Sequence, residues 1–496
     1  MPRITQADLE KYLWGCADIL RNNVEASSYR DYIFPLLFFK RISDVYDENI
    51  VNAQREYGDA WTSFPEDEIH DFSIPKGCHW KDIRNVTDNV GSAIQKAFQG
   101  IEGLNADKLG GVFGNANWAN KAKLPDRMLK DLIEHLSSLT LSIENCPEDE
   151  LGHGYEYLIG KFDSDDGHTA QQFYTNRTVA HLMAEMLNPQ PKESIYDPTC
   201  GSGGILISCI DHIKNRGQEW RNVKVYGQEI IPPTASICRM NLFLHGVKEF
   251  TVRTGDTLST PTFLHHDKLK TFDVVVANPP YSISNWDRDA FSTDKYGRNF
   301  LGTPPQGRAD YAFIQHILKS MDNDTGRCAI LLPHGVLFRN EETEMRKKLV
   351  ESDLVEAVIG IGKNLFYNSP MEACILVCRT KKPLKHLGKT IFINARNEVT
   401  RKNAESYLED KHIDKIATAY KNFESIGGFA SVVDRDTILS NKAKLSIALY
   451  VRGCGTGNIK DIDSAVTDYV EGTIRTRNEC VSLIESLKEG GSNHAL

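Results

Sequence analysis

Four residues in the middle of the chain, Asn278-Pro279-Pro280-Tyr281, follow directly on the apolar run FDVVVA (272–277). That run is typical of a buried strand, and two prolines cannot continue it because they supply no N–H to a sheet. The Asn278 side-chain oxygen and the Pro279 carbonyl could both accept N–H bonds from an exocyclic amine and direct its nitrogen at a methyl donor. The ring of Tyr281 could stack on a base rotated out of a helix.

This chemistry depends on orientation and electrostatics, and it needs no covalent nucleophile. No cysteine follows the FDVVVA run, where a cytosine-C5 methyltransferase would need its nucleophile. Cys374 and Cys378 fall within a strand pattern, so we expect them to be core residues. The isolated pair His265-His266 has no carboxylate or cysteine pattern around it, and the sequence therefore predicts no metal site.

A second segment, DPTCGSGG (197–204), lies between a short apolar run and a helical pattern. Its glycines allow a tight turn and close approach to a ligand, and the helix start offers free N–H groups. It lacks the Lys-Ser/Thr of a phosphate-binding loop, and Gly388-Lys389-Thr390 has Pro383 where such a loop needs glycine. An acid at the strand end, Asp197, suits a cationic ligand, which favours S-adenosylmethionine over a dinucleotide.

Two further acids follow the next two apolar runs. Glu229-Ile230 comes after VKVYGQ (223–228), and Asp256 lies in Gly255-Asp256-Thr257-Leu258 after FTVRT (250–254). An acid at the tip of the second strand can bond both ribose hydroxyls of a nucleotide. Asp256 could accept the amino group of the cofactor adenine, with Leu258 or Ile230 against the flat face of that ring. Each acid alone could be a surface or turn residue, but three in order are far less frequent by chance.

The elements that position these residues fall into three parts. Residues 1–160 have a helical pattern in which apolar residues such as Leu9, Leu13 and Leu20 recur at helical spacing, with a Gly- and Asn-rich loop expected over 95–125. Residues 161–440 alternate short apolar runs with amphipathic ones, which predicts a parallel sheet with helices on both faces and ligands at its carboxyl edge. Residues 441–496 contain an apolar helical stripe over 460–488 that needs a partner surface.

Composition narrows the class of protein. The 41% hydrophobic and 25% charged residues among 496 exclude a mostly disordered or collagen-like chain. Eleven scattered cysteines predict reduced thiols, and no run reaches the roughly 20 apolar residues of a membrane span. The N-terminus shows no signal peptide, so we expect a cytoplasmic protein with no membrane association. A net charge of −9 is unlike that of proteins that hold nucleic acid alone, so a chain that works on DNA is expected to owe much of its binding to a partner.

Taken in order, the segments QFYT (172–175), DPTCGSGG, GQE (227–229), GDTL (255–258) and NPPY (278–281) resemble those of the methylation subunit of type I restriction-modification systems. These are amino-methyltransferases of the γ order, in which the Phe-Tyr-Thr segment and the cofactor motif precede NPPY. The likeness extends from about residue 10 to 450 and includes residues 13–44, 307–318 and 332–377. The resemblance implies an α/β fold: a Rossmann-like S-adenosylmethionine-dependent methyltransferase sheet between a helical N-terminal domain and a C-terminal helix.

The resemblance also implies roles for single residues. Asn278, Pro279, Pro280 and Tyr281 hold the target adenine for transfer to its N6. The S-adenosylmethionine site is made by residues near the strand ends and by the segment before the first strand: Phe173, Tyr174, Thr175, Asp197, Thr199, Gly201, Ser202, Gly203, Glu229, Ile230, Asp256 and Leu258. The family usually has Gly and Pro around its Phe-Tyr-Thr segment, whereas this chain has Gln171 and Asn176.

The family implies partners as well. Its methylation subunit works as a pair with one specificity subunit that reads double-stranded DNA, and restriction subunits join in the full complex. The stripe of residues 460–488 is then expected to pack on the specificity subunit. The long segment 282–308 is expected to close over the flipped base, with Arg288, Lys295, Arg298 or Arg308 reaching phosphates; the alternative is a disordered insertion.

Other substrates remain open at this point. The NPPY turn serves either exocyclic amine, so N4 of cytosine is an alternative acceptor in DNA. Enzymes with this motif also methylate a glutamine amide in proteins or an amine in RNA, although those chains are typically shorter and lack the patterns of 13–44 and 332–377. A catalytically idle scaffold in a DNA-defence complex is the alternative from another class, and the intact acids and NPPY speak against it.

Overall fold

A computed structural model describes residues 4–21, 23–165, 175–363, 365, 372–402 and 405–451. These residues belong to one compact unit that ends at Val451, and residues 452–496 make up a second. The expected helix over 460–488 lies outside the described residues, as do Phe173 and Tyr174. No helix of the described part is long and apolar enough to cross a membrane.

The N-terminal part is helical, as the periodicity predicts. Its helices are α1 (Gln6–Leu20), α2 (Tyr29–Tyr57), α3 (Glu66–Ile69), α4 (Trp80–Arg84), α5 (Val90–Leu104), α6 (Ala106–Leu109), α7 (Asp126–Ser137) and α8 (Glu148–Asp165), with short 3-10 helices at Ala26–Ser28 and Gly58–Ser63. Thr5 begins α1 by accepting the Asp8 N–H, and Leu9, Leu13 and Leu20 are all buried. The predicted apolar face therefore faces the core.

The prediction of a loop over 95–125 is wrong in its first half, which belongs to α5 and α6. Glycine in α5 marks close packing instead of a turn. A Cβ added at Gly100 would lie 3.1 Å from the Cys78 Sγ, so the missing side chain lets α5 lie against the segment that precedes α4. The buried residues Ile94, Phe98 and Ile101 supply the packing that keeps these residues helical.

The second part is a nine-stranded sheet. Its strands are β1 (Ser194–Asp197), β2 (Lys224–Glu229), β3 (Phe250–Thr254), β6 (Val274–Ala277), β7 (Arg327–Pro333), β8 (Val355–Ile361), β9 (Ala373–Arg379), β10 (Lys389–Ala395) and β13 (Ala430–Asp434). The hairpins β4 (Leu264–His265) with β5 (Lys268–Leu269) and β11 (Thr400–Lys402) with β12 (Glu405–Tyr407) stand apart. The strand order is β13-β10-β8-β9-β7-β6-β1-β2-β3.

Seven of these strands are parallel, and β9 and β13 run antiparallel to their neighbours. The sheet is thus mostly parallel, as predicted, and β9 is the one predicted strand that runs in the opposite direction. Residues 362–372, between β8 and β9, are fewer than the dozen or so that a parallel crossover requires, so the chain returns antiparallel. Strands β10 and β13 extend the sheet beyond the predicted set, and Lys389 of the dismissed phosphate-loop sequence begins β10.

Helices cover both faces, as predicted: α9 (Arg177–Leu187), α10 (Gly204–Asn215), α11 (Pro232–Leu244), α12 (Arg288–Ser292), α13 (Asp310–Lys319), α14 (Thr343–Glu351), α15 (Asp410–Asn422), α16 (Arg435–Ser440) and α17 (Ile447–Tyr450). Alternate residues of β6 point into different cores: Val274 and Val276 into one, Val275 and Ala277 into the other. Cys374 and Cys378 are buried core residues, as expected.

One helix of the second part also belongs to the N-terminal core. Ile237, Met240 and Leu244 of α11 pack among the buried residues of the N-terminal helices, while Ala235, Cys238 and Leu242 pack under the sheet. The Ser236 hydroxyl donates to the Gly111 carbonyl at 2.6 Å, which adds a polar contact between the two parts. Helix α11 is thus shared by two hydrophobic cores.

Candidate active site

The predicted site residues lie along one edge of the sheet. Strands β3, β2, β1 and β6 are adjacent and parallel, so their carboxyl ends meet there. Asp197 and Glu229 end β1 and β2, Asp256 follows β3 by two residues, and Asn278 follows β6 directly. Residues from four distant points of the sequence therefore converge where ligands bind in such sheets.

The glycine turn after β1 is built for close approach. Gly201 and Gly203 have φ values of 53° and 86°, which favour glycine. A Cβ on Gly203 would lie 2.9 Å from the Cys238 Sγ of α11, so the turn lies directly against that helix. The Asn241 side chain, also from α11, donates to the Ser202 carbonyl at 3.0 Å and holds the turn in place.

Asp197 is a buried acid with a small set of partners. Its side chain is 1% exposed and accepts the Thr199 N–H at 2.9 Å, and no lysine, arginine or histidine of the described residues forms an ion pair with it. Burial, with a smaller contribution from the charge of Glu229, raises the pKa of Asp197 to about 8. A carboxyl group in this position is suited to a ligand that brings its own positive charge.

Glu229 joins the first two loops. It accepts the Gly201 N–H at 3.0 Å through Oε2 and the Ile231 N–H at 2.9 Å through Oε1, and burial raises its pKa. Each carboxylate oxygen has a further lone pair for a hydroxyl donor. Ile230 beside it is 60% exposed and offers an apolar surface for a flat ring.

Asp256 is part of a compact loop. Its Oδ1 accepts the Leu258 N–H and its Oδ2 the Ser259 hydroxyl, both at 2.9 Å. The side chain of Leu258 is buried with Trp286, Phe291 and other residues of the segment after Tyr281. Of the two apolar residues suggested for the adenine face, Ile230 is therefore the more accessible.

Gln228 is a residue that the sequence reasoning missed. It is fully buried, donates to the Gly255 and Thr260 carbonyls at 3.1 and 3.0 Å, and accepts the Thr262 N–H at 3.0 Å. Its amide thus fixes the two ends of the Asp256 loop. Gln228 lies next to Glu229 in the GQE segment, and the sequence pattern indicates a ligand contact for the acid alone.

The Asn278 amide has a defined orientation. Its Nδ2 donates to the Thr175 hydroxyl at 3.1 Å, and its Oδ1 accepts the Tyr281 hydroxyl at 2.9 Å. Burial raises the pKa of Tyr281 well above its usual value, so that hydroxyl keeps its proton. Thr175, expected in the cofactor wall, lies against Asn278, and its side chain is half-buried.

Two further residues hold the turn after Tyr281. Ser282 has the unusual φ of 50°, and its N–H donates to Asp310 Oδ1 at 2.9 Å. Asp310 is 1% exposed, and its other oxygen accepts from Arg339 at 2.8 Å. The sequence showed Asp310 only as the first residue of a helix, so its role depends on a contact with Ser282 that the chain order does not reveal.

The segment 282–308 is folded and includes α12, so it is not a disordered insertion. The Trp286 indole donates to the Gln306 carbonyl at 2.8 Å and closes the segment on itself. Arg298 is 2% exposed and ion-paired with Asp294 at 2.6 Å, so the hypothesis that it reaches phosphates is wrong. Lys295 is exposed and Arg288 and Arg308 are partly exposed, so they stay as phosphate candidates.

No group of three or more His, Cys, Asp or Glu residues within the described ranges could hold a metal ion. His265 and His266 lie in and beside the β4–β5 hairpin and are exposed. The edge of the sheet thus offers carboxylates, amides, hydroxyls and an aromatic ring. This set can bind a cationic nucleoside and a base beside it.

Comparison with known proteins agrees with this geometry. The family model described as N-6 DNA Methylase matches residues 147–457, and that of the HsdM N-terminal domain matches residues 9–136. The chain is 30% identical to the type I restriction enzyme MjaIX methylase subunit of Methanocaldococcus jannaschii, over 90% of this chain and 84% of that one. It is 27% identical to the type I restriction enzyme MpnII methylase subunit of Mycoplasma pneumoniae, over 97% and 96%.

A solved structure shows the same fold. The type I restriction-modification system methyltransferase subunit from Streptococcus thermophilus has a TM-score of 0.78 to this chain at 28% sequence identity, and the match covers 90% of this chain and 100% of that one. Both family models, the relatives and this structure agree on one assignment. The chain therefore belongs to the N-6 DNA methylase family: it is an adenine-specific DNA methyltransferase, similar to the methylation subunits of type I restriction-modification systems.

Proposed function

We propose that the chain transfers a methyl group from S-adenosylmethionine to N6 of an adenine flipped out of double-stranded DNA. The observation that carries this proposal is the fixed Asn278 amide, which lies at the same sheet edge as the buried acids of β1 and β2. Donor and acceptor sites on neighbouring strands leave the methyl group only a short distance to travel.

The residues present fit the donor. The glycine turn, with Gly201 and Gly203 at positive φ, would present its backbone to the donor. Asp197, buried without a cation, would bind the donor's ammonium group, and Glu229 would accept its ribose hydroxyls. Asp256 would take the adenine amino group beside Ile230. The bound donor supplies an electrophilic methyl group, and the protein supplies its orientation.

The acceptor would be held by the NPPY turn. Asn278 Oδ1 has two lone pairs, so it can keep the Tyr281 hydroxyl and accept an amine N–H at the same time. The Pro279 carbonyl would accept the second N–H, and the Tyr281 ring would stack on the base. Thr175 sets the direction of the amide, because its hydroxyl engages Nδ2 and leaves Oδ1 for the substrate.

Partners complete the enzyme. We propose that two copies assemble with one specificity subunit, that residues 441–496 form the assembly segment after domains at 1–160 and 161–440, and that restriction subunits join the full complex. The net charge of −9 supports this arrangement, since the grip on DNA phosphates must come largely from another chain. The compartment we expect is the cytoplasm, where the DNA lies.

The test is Asn278→Ala in the complex with the specificity subunit. We expect methyl transfer to fall at least about 100-fold, the effect of removing one well-placed oxyanion-type contact, while affinity for S-adenosylhomocysteine changes less than about twofold. The matched control is Asn323→Ala, an exposed asparagine in the turn before β7, at the opposite edge of the sheet. Transfer by Asn278→Ala at the parental rate would refute the assigned role.

The methylated base itself tests the acceptor atom, because a turn that accepts an exocyclic amine could also hold N4 of cytosine. Nucleoside mass spectrometry of DNA from cells expressing the complex separates the two products. We expect N6-methyladenine alone, and N4-methylcytosine would replace this proposal.

A further inference from the structure

Arg298 belongs to the segment after Tyr281, yet its guanidinium points away from the surface. Its Nη1 donates to the Thr257 carbonyl at 2.9 Å and its Nη2 to the Leu258 carbonyl at 2.7 Å. Nε and Nη2 also donate to Asp294 Oδ1 at 3.0 and 2.6 Å, and both side chains are less than 5% exposed. The planar fork of arginine is suited to bridging a carboxylate and adjacent carbonyls in this way.

The two carbonyls belong to the loop that carries Asp256. Thr257 and Leu258 are the next two residues, and the Leu258 N–H is the one that Asp256 Oδ1 accepts. Leu258 also packs with Trp286, Phe291 and Phe313, in a small apolar cluster shared with the segment 282–308 and α13. Polar and apolar contacts thus attach the Asp256 loop to the segment that follows the target-base turn.

The same guanidinium connects to the loop of Asp197. Arg298 Nη1 lies 3.3 Å from His316 Nδ1, which must accept because arginine only donates. His316 Nε2 then carries the proton and faces the Tyr196 hydroxyl at 3.2 Å, one residue before Asp197. Burial lowers the pKa of His316 well below its usual value, so the ring stays neutral. The Thr257 hydroxyl also donates to the Pro198 carbonyl.

We propose that Arg298 is a positioning residue for the donor's adenine subsite: it fixes the Asp256 loop from behind, through the Thr257 and Leu258 carbonyls. The inference rests on the proposed role of Asp256 and deepens it. Part of the acceptor-side segment thereby sets the shape of the donor site, although none of its residues needs to touch the donor. Without the guanidinium, the two buried carbonyls and Asp294 Oδ1 would lose these donors, while Asp294 Oδ2 would keep the Arg298 backbone N–H, and the loop would shift.

The test compares Arg298→Met with Arg327→Met in the full chain. Arg327 is a matched control: it is buried, paired with Glu193 at 2.8 Å, and donates to the Leu187 and Asn188 carbonyls, but at the amino edge of the sheet. Calorimetry measures the Kd of S-adenosylhomocysteine and of S-inosylhomocysteine, which lacks the adenine amino group. We expect Arg298→Met to raise the first Kd about tenfold, equivalent to ~1.4 kcal/mol, and Arg327→Met to change it less than about twofold.

The ratio of the two Kd values is the decisive measurement, since general loosening would weaken both ligands equally. In the parent chain we expect S-inosylhomocysteine to bind about tenfold more weakly, because the half-buried Asp256 would lose the amino group that donates to it; in Arg298→Met we expect a ratio near one. A parent-like ratio in Arg298→Met refutes the inference alone. A parent ratio near one refutes the role of Asp256 itself.

A second variant guards against misfolding. Asp294→Asn keeps the shape of the pair but removes the charge that orients Arg298. We expect Asp294→Asn to lower the ratio of the two Kd values as well, but by a smaller factor than Arg298→Met does. An unchanged ratio in a folded Asp294→Asn variant, with Arg298→Met unfolded, would also count against the proposal.

Discussion

Asp197 and Glu229 show how burial prepares two carboxyl groups for a charged ligand. Neither has an ion-pair partner among the described residues, and burial raises the pKa of both. The pKa of Asp197 reaches about 8, so the carboxyl is largely protonated at pH 7. In the unfolded chain the pKa would be about 3.9. Ionisation of Asp197 therefore opposes folding, and the ligand-free chain should lose stability as pH rises toward 8.

This leads to a prediction about protons. An ammonium group beside Asp197 favours its ionised form, so donor binding should release up to about one proton per site near pH 7. The affinity should rise as pH increases from about 6 to 8, through the pKa of the free carboxyl. Titrations of S-adenosylhomocysteine in two buffers of different ionisation enthalpy measure the release. Asp197→Asn should abolish it, and identical heats in both buffers for the parent chain would contradict the prediction.

At the scale of elements, the glycine turn and α11 act together. The turn lies so close to the helix that Gly203 has no room for a side chain, and its φ of 86° is one that other residues rarely adopt. Asn241 of the same helix holds the Ser202 carbonyl. The position of α11 therefore determines the shape of the glycine turn.

The variant Gly203→Ala tests this dependence. The added Cβ would lie 2.9 Å from the Cys238 Sγ and impose strain of about 1–3 kcal/mol. We expect donor affinity to fall about tenfold or more. Gly217→Ala is the control, because Gly217 also has a positive φ of 67° but nothing lies within 4 Å of its added Cβ. Equal donor affinity in the two variants would show that the contact with α11 does not matter.

At the scale of the molecule, the N-terminal helices and the sheet share α11. Ile237, Met240 and Leu244 complete the N-terminal core, and Cys238 and Leu242 complete the core under the sheet. Neither part has a full core without this helix. The change from helices to alternating strands and helices near residue 160 therefore does not separate two independent cores.

We predict that residues 4–451 unfold as one cooperative unit. Met240→Ala removes a side chain that is 1% exposed from the N-terminal core, and it should lower the free energy of unfolding by about 2–5 kcal/mol. Because α11 is shared, this destabilisation should lower the midpoint of a single unfolding transition. Tryptophan fluorescence and circular dichroism should both report that same transition. S-adenosylhomocysteine should raise the midpoint of this transition. Two separate transitions, with only one moved by Met240→Ala, would contradict a shared unit.

The order of the motifs, most of the strands and the chemical type of each site residue can be predicted from the amino-acid sequence, because these depend on local pattern and on residue chemistry. Which side chains meet becomes visible in the folded molecule alone. The bonds of Asn278 with Thr175, of Ser282 with Asp310 and of Arg298 with the Asp256 loop join residues far apart in the chain. The direction of β9 and the burial of Arg298 were decided in the same way. Such contacts depend on how strands pair and how loops fold back, and single-residue patterns carry no information about that.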